Sequence, residues 1–237
     1  MLPFDAEGGG TEMGALLAYL FPGDAQLLHF SYFCPSFADS ILVHSPLHRQ
    51  SLVSFLPTSS PPRTELLYRA SRDGWSPITF HDRCDDCGST VVILRSEGGH
   101  VFGGYTPHSW VADDGEANEH DGEADEATFI FSLTNPSNHL PVKMVWRVGA
   151  RGFPIYPDVL WGPAFGLVDE AGAVIVGGVN IRSMRDADTS LEGDLYPFQL
   201  PSDVPEDQVQ TFLAGASTFL LSDMEVYSVY GLEGGPG

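Results

Sequence analysis

Basic side chains are scarce in this sequence. Lys and Arg number 11 in 237 residues, against 32 Asp and Glu, which leaves a formal net charge of −21 at pH 7. A chain this acidic repels phosphate backbones and anionic lipid head groups. We therefore expect no binding to nucleic acid and no direct insertion into a membrane. Basic protein surfaces and cationic ligands remain as partners.

Cysteine and long apolar runs are scarce as well. Three cysteines in 237 residues are an odd number, which does not suggest a disulfide framework. No stretch approaches the roughly 18 continuous apolar residues of a membrane-spanning helix. Residues 1–7 (MLPFDAE) lack the basic and apolar regions of a secretory signal. From these absences we expect a soluble, intracellular protein. We also expect it to be cytoplasmic and monomeric.

Aromatic residues, glycine and proline are plentiful instead. The chain is 43% hydrophobic, with 15 Phe, 8 Tyr and 4 Trp, enough to build a large packed core. Its 26 Gly and 18 Pro suit a fold rich in turns and strands. One sizeable domain with an appended arm fits this length.

The pattern along the chain predicts a short helical segment at Met13–Phe21, ended by Pro22 and Gly23, then a second helix, and then many short strands. Ser45 can cap a helix that starts with Pro46 and ends at about Leu56. Alternating or β-branched runs bounded by turn residues then predict strands. They are Glu65–Ala70, Thr90–Arg95, His100–Tyr105, Ala127–Leu133, Val142–Val148, Phe165–Asp169, Ala173–Val176, Thr218–Leu221 and Met224–Tyr230. The predicted fold class is α+β, a two-sheet and mainly antiparallel β-sandwich flanked by a few helices.

The domain organisation follows from composition. Residues 1–39 are predicted to be an N-terminal arm, partly disordered, followed by one domain over residues 40–231 and a flexible tail over 232–237. Within the domain, residues 113–126 (DDGEANEHDGEADE) carry eight carboxylates and no large apolar side chain, which predicts a disordered loop. A calcium site there is disfavoured because the spacing of an EF-hand loop is absent.

One group of residues has the spacing of a metal or thiol site. His81, Cys84 and Cys87 form His-x-x-Cys-x-x-Cys and offer three of the four ligands that zinc takes. No second pair of ligands is evident, and the carboxylates of Asp85 and Asp86 would raise the thiol pKa values. The alternatives are therefore a zinc or thiol module and a loop with one buried cysteine. We expect no bound metal.

No pattern predicts an active site. The sequence has no nucleophile elbow, phosphate-binding glycine loop, metalloprotease helix or kinase motif. The eight histidines are scattered and single out no catalytic triad. We therefore predict no catalytic residues, no cofactor and no enzymatic activity. The weaker alternative is an enzyme with a pocket for a sugar-like or other small molecule, which β-sandwiches sometimes carry.

Several ordered motifs resemble those of the TLDc domain family, over about residues 40–231. The motifs are Ser40–Leu42 with Leu52–Pro57, Leu66–Trp75, Phe80–Asp85, Val101–Tyr105 with Trp110, Ala127–Leu133, Gly162–Gly166 and Asp223–Tyr227. The residues that match the family pattern are Ser71, Arg72, Asp73, Gly74, Trp75, Cys84, Gly103, Gly104, Gly162, Pro163, Phe165, Gly166 and Glu225. Two features depart from it: Cys87 replaces a usual lysine, and the acidic insert is unusually long.

The resemblance implies a β-sandwich without established catalytic residues. It also implies a role in oxidation resistance and binding to the peripheral sector of the vacuolar proton ATPase. The residues themselves suggest structural roles. We expect Asp73 to accept backbone hydrogen bonds, Gly74 to adopt a positive φ, and Arg72 to pair with a buried carboxylate that joins the two sheets. Trp75 and Trp110 are expected to anchor the core.

Overall fold

The computed structural model describes most of the predicted domain. The described residues are 36–110, 127–147, 153–155, 162–167, 175–177, 184, 186–188 and 198–232. Most of the predicted N-terminal arm, the acidic insert and residues 233–237 lie outside them. Three α-helices are described: α1 (Pro46–Phe55), α2 (Ala70–Asp73) and α3 (Pro77–Cys84), together with one 3₁₀ helix (Glu206–Thr211). No helix in these residues is both long enough and apolar enough to cross a membrane.

Helix α1 confirms the helix predicted from Ser45 to Leu56. Ser45 occupies the N-cap position with extended backbone angles, and Pro46 opens the helix. Leu52 and Val53 turn inward and are buried. The resemblance to the family also implies that Ser40–Leu42 and Leu52–Pro57 share an opening helix, but Ser40–Leu42 lies before α1 and is not helical. There the Ser40 hydroxyl accepts hydrogen bonds from the backbone N–H groups of Leu42 and Val43, which favours a turn.

The strands pair in an antiparallel manner throughout the described residues. They are β1 (Arg63–Arg69), β2 (Thr90–Ser96), β3 (Val101–Thr106), β4 (Phe129–Ser132), β5 (Val142–Val145), β6 (Phe153–Ile155), β7 (Ala164–Leu167), β8 (Ile175–Gly177), β9 (Asp186–Asp188) and β10 (Thr218–Tyr230). Six of them form a sheet in the order β1-β10-β2-β3-β4-β5. The first residues of β10 pair with β9. In turn, β9 pairs with β8, β8 with β7, and β7 with β6.

Strand β10 is the longest strand and corrects the sequence interpretation. The segments Thr218–Leu221 and Met224–Tyr230 were predicted as separate strands, but they are one strand of 13 residues. The register against β2 shifts between Leu221 and Asp223, so the bulge at Ser222 absorbs the irregularity without ending the strand. The prediction of an α+β, mainly antiparallel fold is confirmed. A sandwich of two separate sheets is not confirmed, because β10 pairs with strands of both groups.

The six-stranded sheet is buried on both faces. Val92, Leu94 and Val226 belong to one core cluster, which also contains Phe80 of α3 and Phe165 of β7. The alternate residues belong to a second cluster, covered by α1 and the segment before it. Val91, Ile93, Tyr227, Val229, Leu52 and Phe37 are among its members. Strands covered on both sides read as continuous apolar runs, as Thr90–Arg95 does.

Candidate functional site

The residues that match the family pattern begin where β1 turns into α2. The Asp73 side chain, 4% exposed, accepts hydrogen bonds from the Arg69 backbone N–H at 2.9 Å and from the Arg72 guanidinium at 2.8 Å. The Arg83 guanidinium lies 3.2 Å away. Burial by itself raises the pKa of Asp73, but the hydrogen bonds from Arg72 and Arg69 and the charges of Arg72 and Arg83 outweigh it and lower the pKa. Gly74 follows with φ of 92°, as predicted.

Arg72 does not join two sheets. Its guanidinium binds the neighbouring Asp73 and the carbonyl oxygen of Leu67, at 3.0 Å. The buried carboxylate with which Arg72 was predicted to pair therefore belongs to Asp73, the next residue in the chain. The contact stabilises the corner between β1 and α2, because all its members lie within that corner.

Arg69, which the sequence did not single out, makes the long-range ion pair instead. Its Nε donates to Oε1 of Glu225 at 2.9 Å, and a terminal nitrogen lies 2.8 Å from the same oxygen. The Glu225 side chain is fully buried in β10, whereas that of Arg69 is 16% exposed. A glutamate inside a buried strand needs a partner. The position of Glu225 within an apolar strand is therefore the sequence signal that indicates a nearby basic residue.

Glu225 also binds the segment that precedes α1. Its second carboxylate oxygen accepts a hydrogen bond from the Ser40 hydroxyl at 2.6 Å, and its first accepts one from the Ile41 N–H at 2.9 Å. Arg69 donates in turn to the Asp39 carbonyl oxygen at 2.7 Å. One buried carboxylate thus connects β10, β1 and the segment 39–41, which are far apart in the chain.

Ser71 finds a second carboxylate on β10. Asp223, 2% exposed, accepts hydrogen bonds from the Ser71 N–H at 3.0 Å and from its hydroxyl at 2.7 Å. It also accepts one from the Met224 N–H at 2.9 Å. Asp223 thereby ties the first turn of α2 to the bulged part of β10.

The paired glycines of β3 lie where no larger side chain fits. A Cβ on Gly103 would lie 1.9 Å from the carbonyl oxygen of Val92, and one on Gly104 would lie 2.5 Å from the Phe165 ring. Phe165 contacts the Trp110 ring edge-on with centroids 5.5 Å apart, and the Trp110 indole donates to the Thr90 hydroxyl at 3.0 Å. Val92, Trp110 and Phe165 belong to the first core cluster.

The remaining matched residues also pack or turn. Gly162 and Pro163 are buried just before β7. Gly166 has φ of 71°, a conformation that favours glycine. Trp75 is half-buried against the first core cluster, and its carbonyl oxygen accepts a hydrogen bond from the Met184 N–H at 2.7 Å. Trp110 is thus a core anchor as predicted, and Trp75 packs at its edge.

His81, Cys84 and Cys87 are not gathered into a ligand set. A loop was one of the alternatives for these residues, but His81 and Cys84 lie in helix α3. The buried residues of this helix, at positions 77, 80, 81 and 84, have the spacing of one inward-facing helical face. The His81 ring Nδ1 lies 2.8 Å from the Asp85 carboxylate. The Cys87 thiol donates to the Arg83 carbonyl oxygen at 3.4 Å. Within the described residues, no three His, Cys, Asp or Glu side chains are arranged to hold a metal ion.

The surroundings of the two thiols oppose thiolate chemistry. Burial, followed by the proximity of Cys87 and of Asp85, raises the pKa of Cys84 well above its ordinary value. Burial, followed by the charges of Asp85 and Asp86, raises the pKa of Cys87. Thiols are reactive where a positive environment lowers their pKa, and here the environment is apolar and negative. The prediction that no zinc is bound is left for experiment.

Taken together, these contacts define a class: a mainly antiparallel β domain, with a few helices, whose distinctive polar residues bind one another. A family model of the TLDc domain matches residues 37–230. The chain therefore belongs to the TLDc domain family, as its motifs indicated. No curated protein was found to match the sequence.

Proposed function

We propose that this chain is a non-catalytic interaction domain that binds the peripheral sector of the vacuolar proton ATPase and contributes to oxidation resistance. Membership of the TLDc family supports this proposal, because the resemblance implies that partner and that role. The observation that supports a non-catalytic role is the hydrogen bonding of the Asp73, Asp223 and Glu225 carboxylates. Each of these carboxylates accepts two or more hydrogen bonds from the protein itself, which suits a support more than a proton-transfer group.

The partner surface is proposed to be basic. The chain carries 32 acidic against 11 basic side chains. Three of the basic ones, Arg69, Arg72 and Arg83, pair with buried carboxylates in the domain itself. The net charge of −21 makes the exterior strongly negative, and it attracts a basic face of a partner subunit. On this proposal the protein is cytoplasmic and reaches endomembranes through the ATPase.

A binding experiment tests the proposal directly. The purified full chain is immobilised and exposed to the isolated peripheral sector of the ATPase at low salt, and retained subunits are identified by mass spectrometry. We expect stoichiometric retention. The same chain unfolded by heat serves as the control for non-specific adhesion. If the folded chain retains no ATPase subunit, the adaptor proposal is wrong.

The alternative function is a thiol or zinc module built on His81, Cys84 and Cys87. The raised thiol pKa values and the burial of Cys84 weigh against it. Elemental analysis of the purified protein decides between the two. Close to one zinc per chain would replace the adaptor proposal with this one, and a value near zero would retain the adaptor.

The finer architecture is also a proposal. We propose that β6 to β9 form the second layer of a sandwich over the six-stranded sheet. The support is the Phe165 ring of β7, which lies directly over Gly104 of β3. An experimental structure in which these strands lie beside the sheet in the same plane would contradict this arrangement.

A further inference from the structure

The domain contains three Ser-Pro dipeptides, and the fold treats them differently. Ser45-Pro46 and Ser76-Pro77 open α1 and α3, with each serine at the N-cap position and half-buried. Ser60-Pro61 lies in the loop 56–62 between α1 and β1, and both residues are exposed. Only Ser60 therefore offers its hydroxyl from a loop that neither begins a helix nor lies within a strand.

Proline-directed protein kinases need such a presentation. They bind the substrate as an extended segment. In their binding site, the backbone N–H of the residue after the phosphorylated serine makes no hydrogen bond. Proline suits that position because it lacks this donor. When the serine starts a helix, the following proline and its neighbours have helical backbone angles, so the segment cannot extend without unwinding the first turn. Ser45 and Ser76 are disfavoured for this reason.

The third residue after the serine adds a second distinction. Some proline-directed kinases favour a basic side chain there, because it forms charge-assisted hydrogen bonds with acidic or phosphate groups of the enzyme. Ser60 has Arg63, whose side chain is 80% exposed. Ser45 has His48, whose pKa is lowered by burial, and Ser76 has Thr79. Arg63 is the only permanent cation at this position in the three dipeptides.

The loop around Ser60 is held by hydrogen bonds between its backbone and the side-chain hydroxyls of Thr58 and Ser36. The Thr58 hydroxyl donates to the Ser60 carbonyl oxygen at 2.5 Å and lies 3.3 Å from the Ser60 N–H. The carbonyl oxygen of Pro62 accepts a hydrogen bond from the Ser36 hydroxyl. The described hydrogen bonds of Ser60 are made by its backbone, so modification of its hydroxyl disrupts none of them.

We propose that Ser60 is a phosphorylation site for a proline-directed Ser/Thr kinase that prefers a basic residue at the third position. The Ser60 hydroxyl oxygen attacks the γ-phosphorus of ATP, the bond from that phosphorus to the bridging oxygen breaks, and ADP leaves. The hydroxyl proton passes to the catalytic base of the kinase. The product adds nearly two negative charges three residues from Arg63, which now contacts Glu65 at 4.0 Å and the Tyr230 ring at 5.6 Å.

Site mapping on the folded full chain tests this proposal. The chain is incubated with Mg-ATP and a purified cyclin-dependent kinase, and phosphopeptides are quantified by mass spectrometry. We expect most of the phosphate on Ser60, and its loss in Ser60→Ala. Ser59→Ala, a change of the exposed neighbour, is the matched control and should leave incorporation unchanged. Ser45→Ala and Ser76→Ala should leave it unchanged as well.

A charge series tests the role of Arg63. Arg63→Ala should lower the rate of incorporation about tenfold, the effect of one lost charge-assisted hydrogen bond, and Arg63→Lys should restore most of it. Thermal unfolding of each variant shows that the domain is folded. The proposal is overturned if Ser45 or Ser76 carries most of the phosphate, if Ser60→Ala incorporates as much as the unchanged chain, or if the folded chain takes up none.

Discussion

Gly104 of β3 has no side chain, and this allows the Phe165 ring of β7 to pack directly against it. Its Cα lies under the Phe165 ring, and an added Cβ would meet that ring at 2.5 Å. Because the ring also contacts Trp110, it cannot move aside freely, and overpacking of this kind destabilises proteins by about 1–3 kcal/mol. We expect Gly104→Ala to lower the free energy of unfolding by that amount in urea denaturation.

A nearby glycine provides the control. A Cβ on Gly98 would meet its nearest neighbours at 3.4 to 3.6 Å, which is ordinary contact, so Gly98→Ala should change stability little. Phe165→Leu in the Gly104→Ala background should recover part of the loss, because the smaller side chain makes room. If Gly104→Ala were as stable as the unchanged chain, the packing of β7 on β3 would be wrong.

Glu225 is the carboxylate on which three separate segments depend. Glu225→Gln leaves the Arg69 charge without its partner and places an amide N–H group near the Ser40 hydroxyl. Breaking a buried pair costs about 3–5 kcal/mol, and we expect the lower end because Arg69 keeps 16% of its side chain exposed. Chemical denaturation measures this loss.

The matched control for Glu225 is an exposed glutamate on β1. Glu65 lies 4.0 Å from Arg63, and both side chains are more than half exposed, so Glu65→Gln should be nearly neutral. Equal effects of the two substitutions would show that burial of Glu225 is not what makes it important.

The two described cysteines should differ in reactivity. Cys84 is 1% exposed and Cys87 is half-buried. In a Cys34→Ser background at neutral pH, we expect iodoacetamide to label Cys87 slowly, because its raised pKa keeps it protonated. Cys84 should be labelled only after unfolding. Peptide mass spectrometry reads both sites, and rapid labelling of Cys84 in the folded chain would contradict its placement.

At the scale of elements, the strands were more predictable than the helices. β2, β3 and β4 follow from β-branched and aromatic runs, and α1 follows from Ser45-Pro46 at its start. Helix α3 was missed although Pro77, Phe80, His81 and Cys84 have the spacing of a buried helical face. His81 and Cys84 belong both to this helical face and to the spacing of a zinc motif, so the sequence pattern is ambiguous at these positions.

The acidic insert gives the prediction at this scale. Residues 113–126 hold eight carboxylates and no large apolar side chain, whereas Trp110 and Thr128, the nearest described residues that are buried on either side of it, belong to the folded domain. Deleting 113–126 should leave the melting temperature nearly unchanged, since each doubling of loop length changes stability by only about 0.6 kcal/mol. Calorimetry measures this, and a large loss would show that the insert packs or binds an ion.

For the whole molecule, charge is expected to govern association. A net charge of −21 attracts a basic face over long range, and this attraction weakens as salt shortens the Debye length from about 10 Å at 0.1 M to about 3 Å at 1 M. The association rate with the ATPase sector should therefore fall with salt, as measured by surface plasmon resonance, whereas the dissociation rate should change less. Binding that is independent of salt would contradict this expectation.

Two sets of neutralising substitutions locate the charges that matter. One set replaces four insert residues with amides: Asp113, Asp114, Glu116 and Glu119. The matched set replaces four exposed acids elsewhere: Asp82, Asp86, Glu206 and Asp207. If the insert takes part in binding, the first set should slow association more than the second. Equal effects would mean that only the total charge counts.

The sequence by itself determined the acidity, the helix start at Pro46, most of the strands and the family. The acidity, the helix start and the strands depend on composition and on short-range patterns of neighbouring residues, and the family depends on the order of its motifs along the chain. Only the tertiary structure decided that Arg69, and not Arg72, binds Glu225 across 156 residues, and that Phe165 lies over Gly104. Such contacts depend on how separate segments pack, because burial selects the carboxylate that must be paired and the position that must be glycine.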